Sequence, residues 1–247
     1  MAKHLGKYGM NNSTFFKDKK VIVTGSSGLL GSWLVEDLLY NNAEVTGICI
    51  DDSKDGLLKS KGLLNEIQSY YLDIANLREL EKVFSSKNFD IVFHLAAQTQ
   101  VTKALKNPLE TLKSNVQGTW NVLELCRKFN LPIVSASSDK SYGVSDNLPY
   151  LETHPLNGEF PYEVSKSSSD LISTMYKTTY GLNVVSLRCG NIFGGGDFNW
   201  DRLIPGTIKT LLEKSTPILR TKGDFVREWV YVKDVSNAYL EVAKAIF

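Results

Sequence analysis

Cysteine is scarce, with three residues in 247, and Cys49, Cys126 and Cys189 are isolated and odd in number. That spacing excludes a disulfide framework or a thiolate metal cluster and suits reduced thiols in a cytoplasmic core. Histidine is equally rare, and His4 and His154 have no partners in sequence and carry no argument. Net charge is nearly absent, +1 from 28 basic and 27 acidic residues spread along the chain. No basic face is available to hold a nucleic-acid backbone. Long apolar runs are missing too, both at the N-terminus, where a signal peptide would need one, and later, where a bilayer span would need about 20 residues. These absences lead to the expectation of a soluble, cytoplasmic protein with neither nucleic acid nor membrane as partner.

What the chain has in abundance is alternation. The β-rich run 19–25 "KKVIVTG" is followed by helical spacing over 31–42 and a second apolar run at 43–50. A helix over 77–87 leads into "DIVFHLAA" at 90–97, a helix over 108–129 into "LPIVSAS" at 131–137, and a helix over 161–180 into "LNVVSLRCG" at 182–190. Short apolar strands alternating with helices predict an α/β fold, a doubly wound parallel sheet of Rossmann type covered on both faces. After Gly190 the composition turns to glycine and turn formers, "NIFGGGDFNWDRLIPG", which marks the start of a smaller lobe. The expected organisation is an N-terminal arm at 1–18, a Rossmann domain at 19–190, and the beginning of a substrate lobe at 191–247 interleaved with it. Phe15 and Phe16 are expected to staple the arm onto the core.

Two stretches carry chemistry by their placement. Gly25, Gly28 and Gly31 of "TGSSGLLG" join the first strand to the first helix, where missing Cβ atoms let a pyrophosphate approach free backbone N–H groups. Asp51, twenty residues on at the end of the second strand, is placed to accept from an adenosine ribose and to repel a 2′-phosphate, so NAD is favoured over NADP. The competing reading is an ordinary glycine-rich turn and, for Asp51 and Asp52, a solvated strand end. Tyr162 and Lys166 of "PYEVSK" are four apart and share one helix face, where an ammonium would lower the phenol's pKa from about 10. Taken alone they would be a surface pair, but "SSDKSYG" ends the strand twenty residues earlier, at a carboxyl strand end where ligands bind. His94 follows a buried strand and reads as structural.

Seven ordered stretches, "VIVTGSSGLLGSWL", "YLDIAN", "FHLAAQT", "SNVQGTWNVLE", "SSDKSYG", "PYEVSK" and "LRCGNIFGGGD", resemble the extended short-chain dehydrogenase/reductase superfamily of NAD-dependent epimerases and dehydratases acting on nucleotide sugars. Within it the chain looks most like the CDP-glucose 4,6-dehydratase branch, through "GSWL", the Asp139–Lys140 pair and "GGGDFNWDRLIP". The resemblance implies that Gly25, Ser27, Gly28, Leu29 and Gly31 cradle the pyrophosphate, that Asp51 takes the ribose and Asp73 with Ile74 the adenine, and that Leu95, Ala96 and Ala97 line the cofactor. It implies Tyr162 as the base at the sugar 4-hydroxyl, Lys166 on the nicotinamide ribose, Ser138 sharing the 4-oxygen, and Asp139 with Lys140 eliminating water across C5 and C6. Asn191, Arg202 and Arg227 would contact the nucleotide diphosphate. Family members usually form dimers through the helices at 108–129 and 161–180 and continue well past the position of Phe247, which implies a homodimer and a substrate lobe that is either cut short or minimal. An epimerase needs the same tyrosine and lysine without elimination, and a catalytically dead NAD-binding regulator is the reading from another class.

Overall fold

The computed structural model describes residues 14–51, 56–218, 221–223 and 226–247; most of the 1–18 arm, His4 and Asp52 lie outside the described residues. Six parallel strands form the main sheet: β1 (Lys20–Thr24), β2 (Glu44–Cys49), β3 (Gln68–Tyr71), β4 (Ile91–His94), β5 (Ile133–Ala136) and β6 (Val184–Leu187). Their order is β3-β2-β1-β4-β5-β6, all pairings parallel, so the doubly wound sheet expected from the alternation is present. The chain leaves β1 toward one edge and β4 toward the other. Between the carboxyl ends of these two strands the covering loops diverge and leave a crevice.

Strand period 2 divides the core in two. Ile22, Val92 and Ile133 face a cluster with Leu80, Phe84, Val122 and Leu123. The alternate residues Val21, Val23, Ile91 and Phe93 face a second cluster with Phe16, Leu34, Leu38 and Tyr239. The helices that supply these faces are α1 (Leu29–Tyr40), α2 (Gly56–Ser60), α3 (Leu77–Phe84), α4 (Val101–Lys106), α5 (Pro108–Leu112), α6 (Gly118–Phe129) and α7 (Pro161–Tyr180). Residues 113–117 join α5 to α6 as one π-helical turn, so the expected helix over 108–129 is continuous but locally widened. Phe16 is fully buried against Phe93.

Beyond β6 the chain forms a two-stranded parallel sheet, β7 (Asn191–Phe193) with β8 (Trp229–Tyr231), separated by α8 (Leu203–Leu212). It then returns to the main sheet as α9 (Val232–Ile246), which lies along α1 and buries Val232, Val235, Tyr239, Leu240 and Ala243. Val232, Val235 and Leu240 each contribute roughly 1.5–3 kcal/mol of apolar burial. One face of α9 is therefore core structure, fixed further by a 2.6 Å bond from Ser236 Oγ to the buried carboxylate of Asp37.

Candidate active site

The turn after β1 is closed by Gly25, at φ +72°, whose N–H donates to the Ile48 carbonyl at 2.7 Å. A Cβ on Gly25 would stand 2.8 Å from the Ala96 nitrogen, and one on Gly31 would stand 2.1 Å from the Gly25 carbonyl oxygen. The first glycine thus seats the loop on the end of β4, and the third lets α1 pack on the turn. Gly28 caps α1 and is exposed, without a side-chain cap, so the first N–H groups of the helix face outward as an anion would require. Ser27 and Leu29 flank it, half-buried. Ser26 Oγ meets Cys49 Sγ at 2.9 Å and ties the loop to the end of β2. Asp51 lies two residues past that strand, half-buried.

Asp73 accepts from the Ala75 N–H at 2.9 Å and from Lys113 Nζ at 3.0 Å. The Ile74 side chain packs into the core against Gly118, where a Cβ would come within 2.5 Å of Ile74 Cδ1, so a ligand could meet this residue only through its backbone. Leu95 and Ala96 donate their N–H groups to Thr24 Oγ1, both at 3.2 Å, and Ala97 follows them, half-buried, off the end of β4. These residues follow the carboxyl ends of four adjacent strands, β3, β2, β1 and β4, and the glycine cradle fits a dinucleotide.

His94 ends β4, 2% exposed, between Thr24 Oγ1 at 2.7 Å and Thr119 Oγ1 at 3.0 Å. Thr119 in turn donates to the Asn115 carbonyl, and Thr24 accepts from two backbone N–H groups. The network assigns Nδ1 as acceptor and Nε2–H as donor. Burial, with a smaller contribution from Lys166, holds the imidazole neutral with a pKa lowered to about 3. Among these groups it is a strut between strand and helix.

On the other side of the crevice β5 ends at Ala136, and Ser138 caps a tight 3-10 turn over Asp139–Tyr142. Ser138 Oγ accepts from the Lys140 N–H at 3.2 Å and donates to Asp139 Oδ1 at 2.9 Å, while Lys140 Nζ stands 3.5 Å from Asp139 Oδ2. Helix α7 begins at Pro161, whose missing N–H suits a first turn, and Glu163 accepts from the N–H groups of Glu159 and Phe160. One turn in, Tyr162 and Lys166 are both buried, at 9% and 5% exposure. Burial pushes the Tyr162 phenol up to about 12, against a hydrogen bond from Ser138 that lowers it; Asp139 raises it and Arg202 lowers it.

The Lys166 ammonium donates to the Ala136 carbonyl at 2.9 Å, and burial brings its own pKa down to about 8, opposed by Asp170. The cation that lowers Tyr162 is Arg202. Arg202 precedes α8 and reaches back, Nη1 to Asp197 Oδ2 and Nη2 to the Ile192 carbonyl, both at 2.6 Å. Asn191 donates to the Glu228 carbonyl at 3.1 Å, beside exposed Arg227. These two sit together on the smaller sheet.

Asn115 escaped the sequence reading. Fully buried in the π turn, it accepts from the Gln98 N–H at 2.7 Å and donates to the Gln98 carbonyl and to Ser165 Oγ, joining the loop after β4 to α7. Its only signal was its place in "SNVQGT", because π turns have no sequence period but occur often at functional sites. No group of three or more histidine, cysteine or carboxylate side chains suited to a metal occurs among the described residues.

Residues 21–246 match the NAD dependent epimerase/dehydratase family. The chain is 31% identical to a CDP-glucose 4,6-dehydratase of Salmonella typhimurium, covering 96% of this chain and 70% of the relative. It is 33% identical to a putative UDP-glucose 4-epimerase of Methanocaldococcus jannaschii, covering 89% and 72%. Among solved structures it resembles a dTDP-glucose 4,6-dehydratase from Streptomyces venezuelae with NAD bound, with a TM-score of 0.81 and 28% identity over 90% of this chain and 71% of that one.

Proposed function

The chain belongs to the NAD dependent epimerase/dehydratase family, and from that premise we propose that it is a nucleotide-sugar 4,6-dehydratase, converting an NDP-hexose of CDP-glucose type to its 4-keto-6-deoxy derivative. The observation that supports dehydration over epimerisation is the Ser138–Asp139–Lys140 turn, which sets an acid/base pair 3.5 Å apart at the strand end beside Tyr162. Epimerisation needs no such pair.

In this reading the glycine cradle, Asp51 and Asp73 would hold NAD. Bound NAD supplies what side chains cannot, a reversible acceptor for the hydride of C4. Tyr162 Oη receives the proton of the 4-hydroxyl, and Ser138 Oγ holds the same oxygen. A phenol near 12 stays protonated at neutral pH, so its activation requires cationic groups gathered by the bound ligands, with Arg202 already in place. Lys166, pinned to Ala136, orients the cofactor ribose rather than titrating the phenol. Asp139 and Lys140 then act as base and acid across C5 and C6, one taking the C5 proton and the other protonating the departing hydroxyl, after which C6 receives the hydride first taken from C4 and C5 regains a proton. Asn191, Arg202 and Arg227 bind the diphosphate. The reading includes a cytoplasmic homodimer paired through the helices at 108–129 and 161–180, where Leu109, Trp120, Leu171 and Met175 are exposed.

An NDP-sugar deuterated at C4 tests the proposal. The expected outcome is label at C6 of a 4-keto-6-deoxy product, and elimination slowed on the order of 10² in Lys140→Met and Asp139→Asn while NADH still forms. Label returned to C4 of an epimerised sugar, with both variants active, would establish the 4-epimerase, a reading that the archaeal relative favours. A dead regulatory protein is opposed by the intact Ser138, Tyr162 and Lys166.

A further inference from the structure

Two stretches far apart in sequence, "GSWL" in α1 and "GGGD" after β7, touch through a single directed bond. The indole Nε1 of Trp33 donates to the Gly195 carbonyl at 2.8 Å. The ring is held in place: Lys61 Nζ lies 3.2 Å from its centroid and Lys233 Nζ 5.0 Å, with Lys61 paired to Glu36 at 2.5 Å. The glycine segment is equally confined. A Cβ on Gly194 would stand 2.3 Å from Val232 Cγ1, and one on Gly196, at φ +89°, 2.5 Å from Leu57. At Gly194 and Gly196 only glycine lets the chain thread between α9 and α2, and without Cβ atoms these residues supply little packing of their own. The Trp33 bond is the polar tie from this segment to the cofactor helix.

Immediately downstream lies Asp197, its carboxylate 8% exposed, which accepts from Arg202 at 2.6 Å and from the Asn199 N–H at 3.1 Å. Arg202 is therefore aimed by Asp197, Asp197 by the glycine segment, and that segment by Trp33. We propose that Trp33 is a positioning residue: from the helix whose N-terminus faces the cofactor, it fixes the 194–197 segment and so places the Arg202 guanidinium at the sugar-nucleotide site. The electrostatic influence of Arg202 on Tyr162 agrees with that placement. The inference rests on the nucleotide-sugar reading for the identity of the ligand, but not for the mechanical linkage.

Trp33→Phe removes the N–H and keeps an aromatic ring between the lysines. Calorimetric titration of the 247-residue protein with NAD and with CDP-, UDP- and dTDP-glucose, in wild type, Trp33→Phe, Arg202→Gln and the double variant, separates the possibilities. We expect NAD affinity within about two-fold of wild type in Trp33→Phe, sugar-nucleotide affinity down about ten-fold, the scale of one impaired charge-assisted contact, and no further loss when Trp33→Phe is added to Arg202→Gln. Additive losses in the double variant, or NAD affinity falling in step with the sugar nucleotide, would overturn the proposal. If wild type binds none of the three sugars, the substrate reading fails, and hydrogen exchange in the unliganded protein decides the linkage alone. Amides of residues 195–202 should exchange about ten-fold faster or more in Trp33→Phe; unchanged exchange there would refute the linkage.

Discussion

Alanine in place of Gly31 pits two opposite effects against each other. Within a helix alanine is favoured over glycine by about 1 kcal/mol, so propensity alone makes the variant more stable. In this fold the new methyl would lie 2.1 Å from the Gly25 oxygen and 2.9 Å from both the Gly25 carbonyl carbon and Ser26 Cα, where carbon contacts settle near 3.5 Å. All three are backbone atoms, so no rotamer change relieves them, and α1 must move off the turn by about an ångström. Overpacking of this kind costs typically 1–3 kcal/mol, and with a rigid obstacle the upper end applies. The net expectation is a loss of about 2 kcal/mol, which for a chain of this size lowers Tm by roughly 4–8 °C. The same displacement shifts the helix N-terminus, and NAD affinity should fall about ten-fold or more. Calorimetric melting and NAD titration read the two effects. Gly62→Ala is the control: its φ is +72°, but nothing lies within 4 Å of the added methyl, so it carries backbone strain of about 1 kcal/mol without touching cofactor binding. A Gly31→Ala protein that melts as high as wild type and binds NAD normally would refute the packing role assigned to this glycine.

Asp51, past the end of β2, is expected to make NAD bind at least ten-fold more tightly than NADP; equal or tighter NADP binding in parallel titrations removes it from the ribose site. Tyr162→Phe should abolish turnover while leaving NAD affinity within about two-fold, and normal turnover would show that another group takes the proton. His94 titrates near its ordinary 6.5 when unfolded but is lowered to about 3 when folded. Below pH 6.5 the unfolded chain therefore binds the extra proton, and stability should fall as pH drops, by up to about 1.4 kcal/mol per pH unit. Asp37, whose carboxyl is raised by burial, works in the opposite direction at lower pH, so urea unfolding between pH 6 and 5 is the informative window. His94→Gln should flatten the slope there, and an unchanged slope would assign the proton uptake elsewhere.

Local pattern was enough for most of the sheet. Runs such as "VIVTG" and "DIVFHLAA" are apolar on both faces, which only a strand covered on both sides requires, and the parallel order follows from the helices between them. β3 escaped because "QSYY" pairs along one edge only, with its first and last residues exposed, so it carries no core signature. α9 was not read from the sequence, and its packing along α1 depends on contacts some two hundred residues apart, such as Ser236 with Asp37. The same division runs through the candidate site. Which residues carry chemistry could be read from the glycine spacing, the polar strand end and the tyrosine–lysine pair on one helix face. Where their charges point could not: Lys166 turns to the Ala136 carbonyl, and Arg202, forty residues from Tyr162, is the cation that lowers the phenol. Spacing determines which side chains share a face of one element, whereas the direction of an ammonium or guanidinium is set by acceptors that other elements bring to it. For that reason the Trp33–Gly195 bond, across 162 positions of sequence, was decided by tertiary structure alone.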